Sequence, residues 1–213
     1  MNRPTVFVVD DDDDFRESLV NLLSALGYRT ASFESAEAFR CAFLPSQPGC
    51  LILDIRMPGQ NGLDLYADMV QAGQRIPVLF VTAHADVSTA VAAMKTGAVE
   101  FLEKPFSREH LVMRIDQALQ LDKRWRESDE RFAALDEQLQ SLSKGDRETL
   151  DMILDGATNK VMAARLFITE RAVELRRQRL MQRLGVRSVA ELLEMTLTHR
   201  ILSEVRAAST HMA

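Results

Sequence analysis

The strongest constraint on the fold is a pattern that occurs five times in the first 120 residues, in which a short apolar run precedes an amphipathic stretch. The runs are typical of buried strands, and the stretches, with apolar residues three or four positions apart, predict helices. Strands that alternate with helices predict a parallel sheet covered on both faces. The predicted strands are Thr5–Val9, Tyr28–Phe33, Cys50–Leu53, Val78–Val81 and Val99–Leu102.

Length and composition limit the classes of protein that remain. A chain of 213 residues with 46% hydrophobic residues is typical of two small globular domains. We expect neither a secretory signal peptide nor a membrane span, because no apolar run approaches the ~20 residues that a spanning helix needs. Cys41 and Cys50 form neither a zinc motif nor a disulfide framework. These features predict a cytoplasmic protein without membrane contact.

The charge is distributed unevenly along the chain. The whole chain carries −5, yet residues 1–120 contain 16 Asp and Glu against 10 Lys and Arg. Residues 156–190 instead contain 8 Lys and Arg against 2 Glu. An acidic first half and a basic segment in the second half favour nucleic acid as a partner of the second half.

Chemically complementary residues stand at the ends of four predicted strands: Asp10 with Asp11, Asp54, Thr82 and Lys104. In a parallel sheet, ligands bind beyond the carboxyl ends of the strands. Carboxylates gathered there would repel each other without a cation, and their hard oxygen atoms suit Mg²⁺. A lysine and a hydroxyl beside them could hold phosphoryl oxygens. Each residue alone could be a turn or surface residue, but the combination predicts a carboxylate that accepts a phosphoryl group with the help of magnesium.

The second half has the pattern of a helix-turn-helix. Ser143 can cap a helix that ends near Gly156, and Thr169 can cap the helix Glu170–Leu184. A short helix, Asn159–Phe167, lies between these two, and a final helix, Val189–Leu197, follows them. In a helix-turn-helix the second helix enters the major groove. The alternative is that its arginines form only a solvated face; they are Arg176, Arg177, Arg179 and Arg183.

A heptad pattern connects the halves. Its seam positions alternate steps of three and four, which predicts a dimeric coiled coil that continues the fifth helix of the first half. The alternative is a lone amphipathic helix packed on either domain. The seam comprises Ala118, Leu121, Trp125, Ser128, Phe132, Leu135, Leu139 and Leu142.

Four motifs in residues 3–120 resemble those of response-regulator receiver domains: VVDDDDDFR, LILDIRMPGQNGLDL, VLFVTAHAD and AVEFLEKPF. The resemblance implies a flavodoxin-like domain that a histidine kinase phosphorylates on Asp54. It also implies roles for further residues. These are Mg²⁺ binding by Asp10, Asp11, Asp54 and the Arg56 carbonyl, phosphoryl contact by Thr82 and Lys104, an aromatic switch at Phe101, and tuning of dephosphorylation by Arg56 and His84.

Residues 142–197 resemble the LuxR-type DNA-binding domain of the NarL/FixJ response regulators. The resemblance implies that Lys160 contacts backbone phosphate and that the exposed face of residues 169–179 reads DNA. Gly145, Ala172 and Arg176 depart from the family, which usually has arginine, threonine and often histidine at these positions. The expected DNA contacts are Lys160, Thr169, Arg171, Glu174, Arg176, Arg177, Arg179 and Arg183.

These observations combine into one prediction. A flavodoxin-like α/β receiver with a five-stranded parallel sheet (1–120) is joined by a helical coiled-coil linker (121–142) to an all-α, four-helix helix-turn-helix domain (143–205), with a tail at 206–213. The predicted function is that of a transcriptional response regulator rather than an enzyme, with promoter DNA, a histidine kinase, a second copy of the chain and RNA polymerase as partners. Two alternatives are a phosphate sink that has lost DNA binding and a regulator that acts without phosphorylation.

Overall fold

The computed structural model describes residues 3–83 and 87–211, with side chains as far as residue 206. The chain forms two compact units, one ending at Glu127 and the other beginning at Ser128. Both residues lie in a single helix, Arg108–Gln140. In the described ranges, none of the helices is both long and apolar enough to span a bilayer.

The first unit is a parallel sheet with the strand order β2-β1-β3-β4-β5. Its strands are β1 (Thr5–Val9), β2 (Arg29–Phe33), β3 (Gly49–Asp54), β4 (Val78–Thr82) and β5 (Glu100–Glu103). Its helices are α1 (Asp13–Ala25), α2 (Ala36–Ala42), α3 (Gly62–Gln71), α4 (Val87–Lys95) and the first part of α5 (Arg108–Gln140). The predicted α/β fold is confirmed. Most predicted strand bounds are within a residue of those in the structure.

Two hydrophobic cores cover the two faces of this sheet. Alternate residues of a strand point to opposite faces, so Phe7 and Val9 join one core while Val6 and Val8 join the other. All residues of β1, β3 and β4 are buried, which explains why these strands are apolar along their whole length. The carboxyl ends of the three central strands are therefore held together at one edge of the sheet.

The second unit contains the rest of α5, α6 (Lys144–Leu154), α7 (Asn159–Leu166), α8 (Glu170–Arg183) and α9 (Val189–His211). The predicted caps are confirmed, because the Ser143 hydroxyl accepts from the amide of Asp146 and the Thr169 hydroxyl from that of Ala172. A small core holds the helices together. Its fully buried residues are Met162, Val173, Leu180 and Leu192.

The final helix is longer than the sequence predicts. The sequence predicts a helix ending at Leu197 and a tail from residue 206, but α9 continues to His211. No glycine or proline follows Gly185, so no residue of the segment breaks the helix. His199 and Arg206 also pair with Asp136 and Asp129 of α5, which anchors the extra turns.

Candidate functional site

The carboxyl edge of the sheet brings together four of the five residues that the sequence predicts there. Asp10 follows β1, Asp54 ends β3 and Thr82 ends β4, and these residues are only 2%, 5% and 1% exposed. Lys104 follows β5, and its amide donates to the carbonyl of Thr82 over 2.8 Å. The site therefore arises from the strand order, since β1, β3, β4 and β5 are successive neighbours in the sheet.

The ammonium of Lys104 connects the two buried carboxylates. Its Nζ lies 2.7 Å from Oδ2 of Asp10 and 3.3 Å from Oδ1 of Asp54. One positive charge thus faces two negative charges in a place where water hardly reaches. Such a site favours a further cation, because unbalanced buried charge is costly.

The β3–α3 loop wraps around the Asp54 side chain. The amide of Arg56 donates to Oδ2 of Asp54 over 2.6 Å. Gly62 begins α3 so close to the backbone that an added Cβ would lie 2.1 Å from the Asp54 carbonyl oxygen, which requires glycine at this position. Burial raises the pKa of Asp54 from 3.8 to about 6; Lys104 acts in the opposite direction, and the carboxylate of Asp10 adds to the rise.

Asp11 lies beside this pair rather than within it. Its side chain is exposed and lines a cavity of about 620 Å³ that Arg56 and Thr89 also line. In the described ranges, no group of three or more His, Cys, Asp or Glu side chains lies close enough together to hold a metal ion. The donor atoms nevertheless fit a hard cation, because carboxylate oxygens and open space for water are what Mg²⁺ requires.

Two of the three predicted regulatory positions lie among the described residues. Phe101 lies in β5, is half-buried and packs against the core on one face of the sheet. His84 lies outside the described residues. Arg56, the other predicted tuning residue, has an exposed side chain at the cavity.

Helix α8 presents one face to solvent and the other to the core of its unit. Val173 and Leu180 are fully buried, while Arg171, Glu174, Arg176 and Arg179 are exposed, as expected for residues that read DNA. Lys160, on α7, is exposed as well. Arg171 forms an ion pair with Glu174 over 2.9 Å, so these two side chains are coupled in the free protein.

Three further expected DNA contacts have partners inside the domain. Thr169 caps α8 through its hydroxyl. The Arg177 side chain is half-buried and donates to the sulfur of Met162 over 3.5 Å. Arg183 pairs with Asp146 over 3.0 Å and donates to the carbonyl of Ser141 over 2.7 Å. Arg183 thus connects the end of α8 to the start of α6.

Gln178 is a candidate DNA contact that the sequence reasoning missed. It is exposed, and it follows Arg171 by seven residues and Glu174 by four, so the three share one face of α8. A glutamine at a groove-facing position can bond both edge atoms of adenine. The helical spacing alone could have identified Gln178, but it carries no charge and therefore does not contribute to the basic segment.

An ion pair on α5 with a buried carboxylate was also missed. Asp122 is 3% exposed, accepts from the amide of Gly49 over 2.9 Å and pairs with Arg126 over 2.9 Å. Arg126 also donates to the carbonyls of residues 45, 46 and 47. In the sequence this is an ordinary pair of opposite charges four residues apart on a helix, which usually faces solvent.

The seam residues of the linker pack within their own units. The guanidinium of Arg75 lies 4.5 Å from the ring centre of Trp125 in the first unit. In the second, Phe132 stacks on His199, and Leu139 and Leu142 join the helical core. The expected continuation of α5 past Leu121 is confirmed. These contacts favour the alternative of an amphipathic helix packed on either domain, and the dimeric coiled coil stays a prediction.

Two family models match the chain. One, described as a response regulator receiver domain, matches residues 6–116, and the other, described as bacterial regulatory proteins of the luxR family, matches residues 140–196. These ranges correspond to the sheet domain and to the helices that surround α8. The resemblance that we noted in the sequence is therefore confirmed.

Whole-chain relatives have the same two parts. The response regulator protein TmoT of Ectopseudomonas mendocina is 37% identical over 90% of this chain and 87% of its own length, and the transcriptional regulatory protein FixJ of Azorhizobium caulinodans is 36% identical over 90% and 91%. The solved structure of the response regulator StyR has a TM-score of 0.85 and 41% identity, and it covers 91% of this chain and 98% of its own. The chain therefore belongs to the FixJ-like two-component response regulators, transcriptional regulators with a receiver domain and a LuxR-type DNA-binding domain.

Proposed function

We propose that a histidine kinase phosphorylates Asp54 and that this modification controls dimerisation and the binding of promoter DNA. The observation that carries the proposal is the buried Asp54 carboxylate within 3.3 Å of the Lys104 ammonium, beside a second buried carboxylate. In the reaction, an Asp54 oxygen attacks the phosphorus of a phosphohistidine. The phosphorus–nitrogen bond breaks, and the leaving imidazole keeps the electron pair and takes up a proton.

We assign Asp10, Asp11, Asp54 and the Arg56 carbonyl to a magnesium ion. Bound there, Mg²⁺ would neutralise charge on the phosphoryl oxygens. Lys104 would turn from the Asp54 carboxylate to a phosphoryl oxygen, since formation of the acyl phosphate removes the carboxylate charge that it now faces. The Thr82 hydroxyl would contact another of these oxygens, and the half-buried Phe101 would move with Thr82.

We assign DNA recognition to the exposed face of α8. Arg171, Glu174 and Gln178 point away from the core and would face base edges, while Arg176, Arg179 and Lys160 would contact phosphates. Arg177, Arg183 and Thr169 act first through the domain, by the contacts described above. The domain would thereby keep the angle of α8 fixed as it enters the major groove.

We assign dimer formation to the linker face of α5. Leu121, Trp125, Phe132, Leu135 and Leu139 are all half-buried, so part of each side chain is available to a second copy. The two DNA-binding domains of such a dimer would bind half-sites about one helical turn of DNA apart. We place the protein in the cytoplasm, where the kinase, promoter DNA and RNA polymerase would meet it.

Phosphorylation with a small-molecule donor tests the central step. The purified chain is incubated with acetyl phosphate and Mg²⁺, and the intact mass is measured for the parent protein, Asp54→Asn and Asp64→Asn. Asp64 serves as the control because it is a carboxylate that lines the same cavity as Asp11 and Arg56. It accepts a hydrogen bond from Asn61 and is not the proposed phosphoacceptor. We expect phosphate on the parent and on Asp64→Asn only. Phosphate on Asp54→Asn to the same extent would contradict the proposal.

A further inference from the structure

The ring of Phe15 lies against the lysine of the candidate acceptor site. The Nζ of Lys104 is 3.7 Å from the ring centre, well within the range of a cation–π interaction. Phe15 belongs to the first turn of α1, whereas Lys104 follows β5, so the contact joins the two ends of the receiver sequence. Neither the sequence pattern nor the resemblance assigns a role to Phe15.

Three groups surround the Lys104 ammonium. An ammonium group has three donors, and Asp10, Asp54 and the Phe15 ring lie at 2.7 Å, 3.3 Å and 3.7 Å from the nitrogen. The side chain of Lys104 is 16% exposed, so little room is left for water. The ring is the only one of the three contacts that carries no charge.

The ring is itself held in place. Phe106 meets Phe15 edge-on, with ring centres 6.1 Å apart and an angle of 89°. Both rings pack against the core on one face of the sheet. Phe106 lies two residues after Lys104, so the segment after β5 contacts Phe15 through the lysine and through this ring.

We propose that Phe15 is a positioning residue for phosphoryl transfer, whose ring face holds the Lys104 ammonium between the two carboxylates and excludes water from it. This inference rests on the proposed role of Asp54 as phosphoacceptor. A carboxylate or hydroxyl in place of the ring would compete with the incoming phosphoryl group for the ammonium. An aromatic face attracts the charge weakly, so Lys104 stays ordered yet free to exchange Asp54 for a phosphoryl oxygen.

The test compares Phe15→Leu, which keeps an apolar side chain without a π face, with Phe15→Tyr, which keeps the face. We expect the rate constant for phosphorylation by acetyl phosphate to fall about three- to tenfold in Phe15→Leu and to stay within about twofold in Phe15→Tyr. Phe15→Met is the substitute if the leucine variant does not fold. Equal rates in all variants would overturn the proposal.

Two further measurements separate a positioning role from a structural one. In a Lys104→Met background, Phe15→Leu should cause no additional loss of rate, because the ring acts through the lysine; a loss of the same size there would overturn the proposal. NMR should show faster hydrogen exchange of the Lys104 ammonium in Phe15→Leu than in the parent, without any phosphodonor. If the parent protein is not phosphorylated but the exchange rate changes as expected, the contact stands and the function assigned to Asp54 fails.

Discussion

The ring of Phe132 stacks face to face on the imidazole of His199, with centres 5.1 Å apart and planes 9° from parallel. The guanidinium of Arg206 lies 4.5 Å from the same ring, and Asp136 is 2.9 Å from the imidazole. A residue predicted for a dimer seam is thus covered by α9 of its own unit. A dimer seam can therefore form at Phe132 only if His199 and Arg206 move away from its ring.

Removal of the His199 side chain from the Phe132 ring should therefore favour the dimer. We expect His199→Ala to reduce the free energy of unfolding by about 1 kcal/mol, the value of an aromatic pair, and to raise the dimer fraction at a fixed protein concentration. Light scattering coupled to gel filtration measures the second effect. Arg200→Ala, which removes the exposed side chain next along the helix, should change neither quantity. A dimer fraction unchanged by His199→Ala would contradict the linker dimer.

The raised pKa of Asp54 predicts a pH dependence of stability. Because the pKa is 3.8 in the unfolded reference and about 6 in the folded protein, the folded state holds its proton longer, and stability is lost as the pH rises through 6. In magnesium-free buffer, Asp54→Asn should gain urea resistance relative to the parent between about pH 4 and pH 7.5, and added Mg²⁺ should narrow the gap at the higher pH. A stability difference between the two proteins that does not depend on pH would show that burial does not raise the pKa of Asp54.

Phe167 predicts a stabilising substitution. It caps the carboxyl end of α7 with a φ of 54°, a left-handed conformation that costs a non-glycine residue about 1–2 kcal/mol, and its side chain is 94% exposed. We expect Phe167→Gly to raise the melting temperature, with a gain of up to about 1 kcal/mol after the larger entropy of glycine in the unfolded chain is subtracted. Phe167→Ala is the control, since it removes the ring without relieving the backbone. If the glycine variant melts below the alanine variant, the strain is absent.

The arginines of α8 should separate into two classes. Arg176→Ala should weaken DNA binding and reduce the slope of log affinity against log salt by about one, with the melting temperature unchanged. Arg183→Ala should instead lower stability by about 1 kcal/mol, because it loses its bonds to Asp146 and Ser141. Salt titrations by fluorescence anisotropy and thermal melts distinguish the two. Identical profiles for both variants would show that the assignment of Arg183 is wrong.

Local signals predicted most of the fold. The strands, and the polar residues at their ends from Asp10 to Lys104, are predicted by apolar runs that stop at a polar residue. The caps Ser143 and Thr169 are predicted by residue preferences that involve only the next three positions. These signals act over a few positions, so a sequence displays them directly.

Apart from Gln178, the missed contacts depend on pairs of residues that are distant in the chain. The contact of Asp122 with Gly49 spans 73 residues, and that of His199 with Asp136 spans 63. Their residues look like ordinary helix-surface charges until the tertiary fold brings the partners together. The contact of Phe15 with Lys104 was missed for the same reason, although both residues stand in motifs that resemble those of receiver domains.

DNA binding with and without phosphodonor tests the central claim most directly. A duplex selected from a random-sequence pool by the phosphorylated protein is titrated with the parent chain and with Asp54→Asn, each with and without acetyl phosphate and Mg²⁺. We predict that the donor tightens DNA binding by the parent about tenfold or more, because phosphorylation favours a dimer in which a second DNA-binding domain binds the same duplex. The affinity of Asp54→Asn should not change. Identical affinities of the parent with and without the donor would contradict control of this protein by phosphorylation of Asp54.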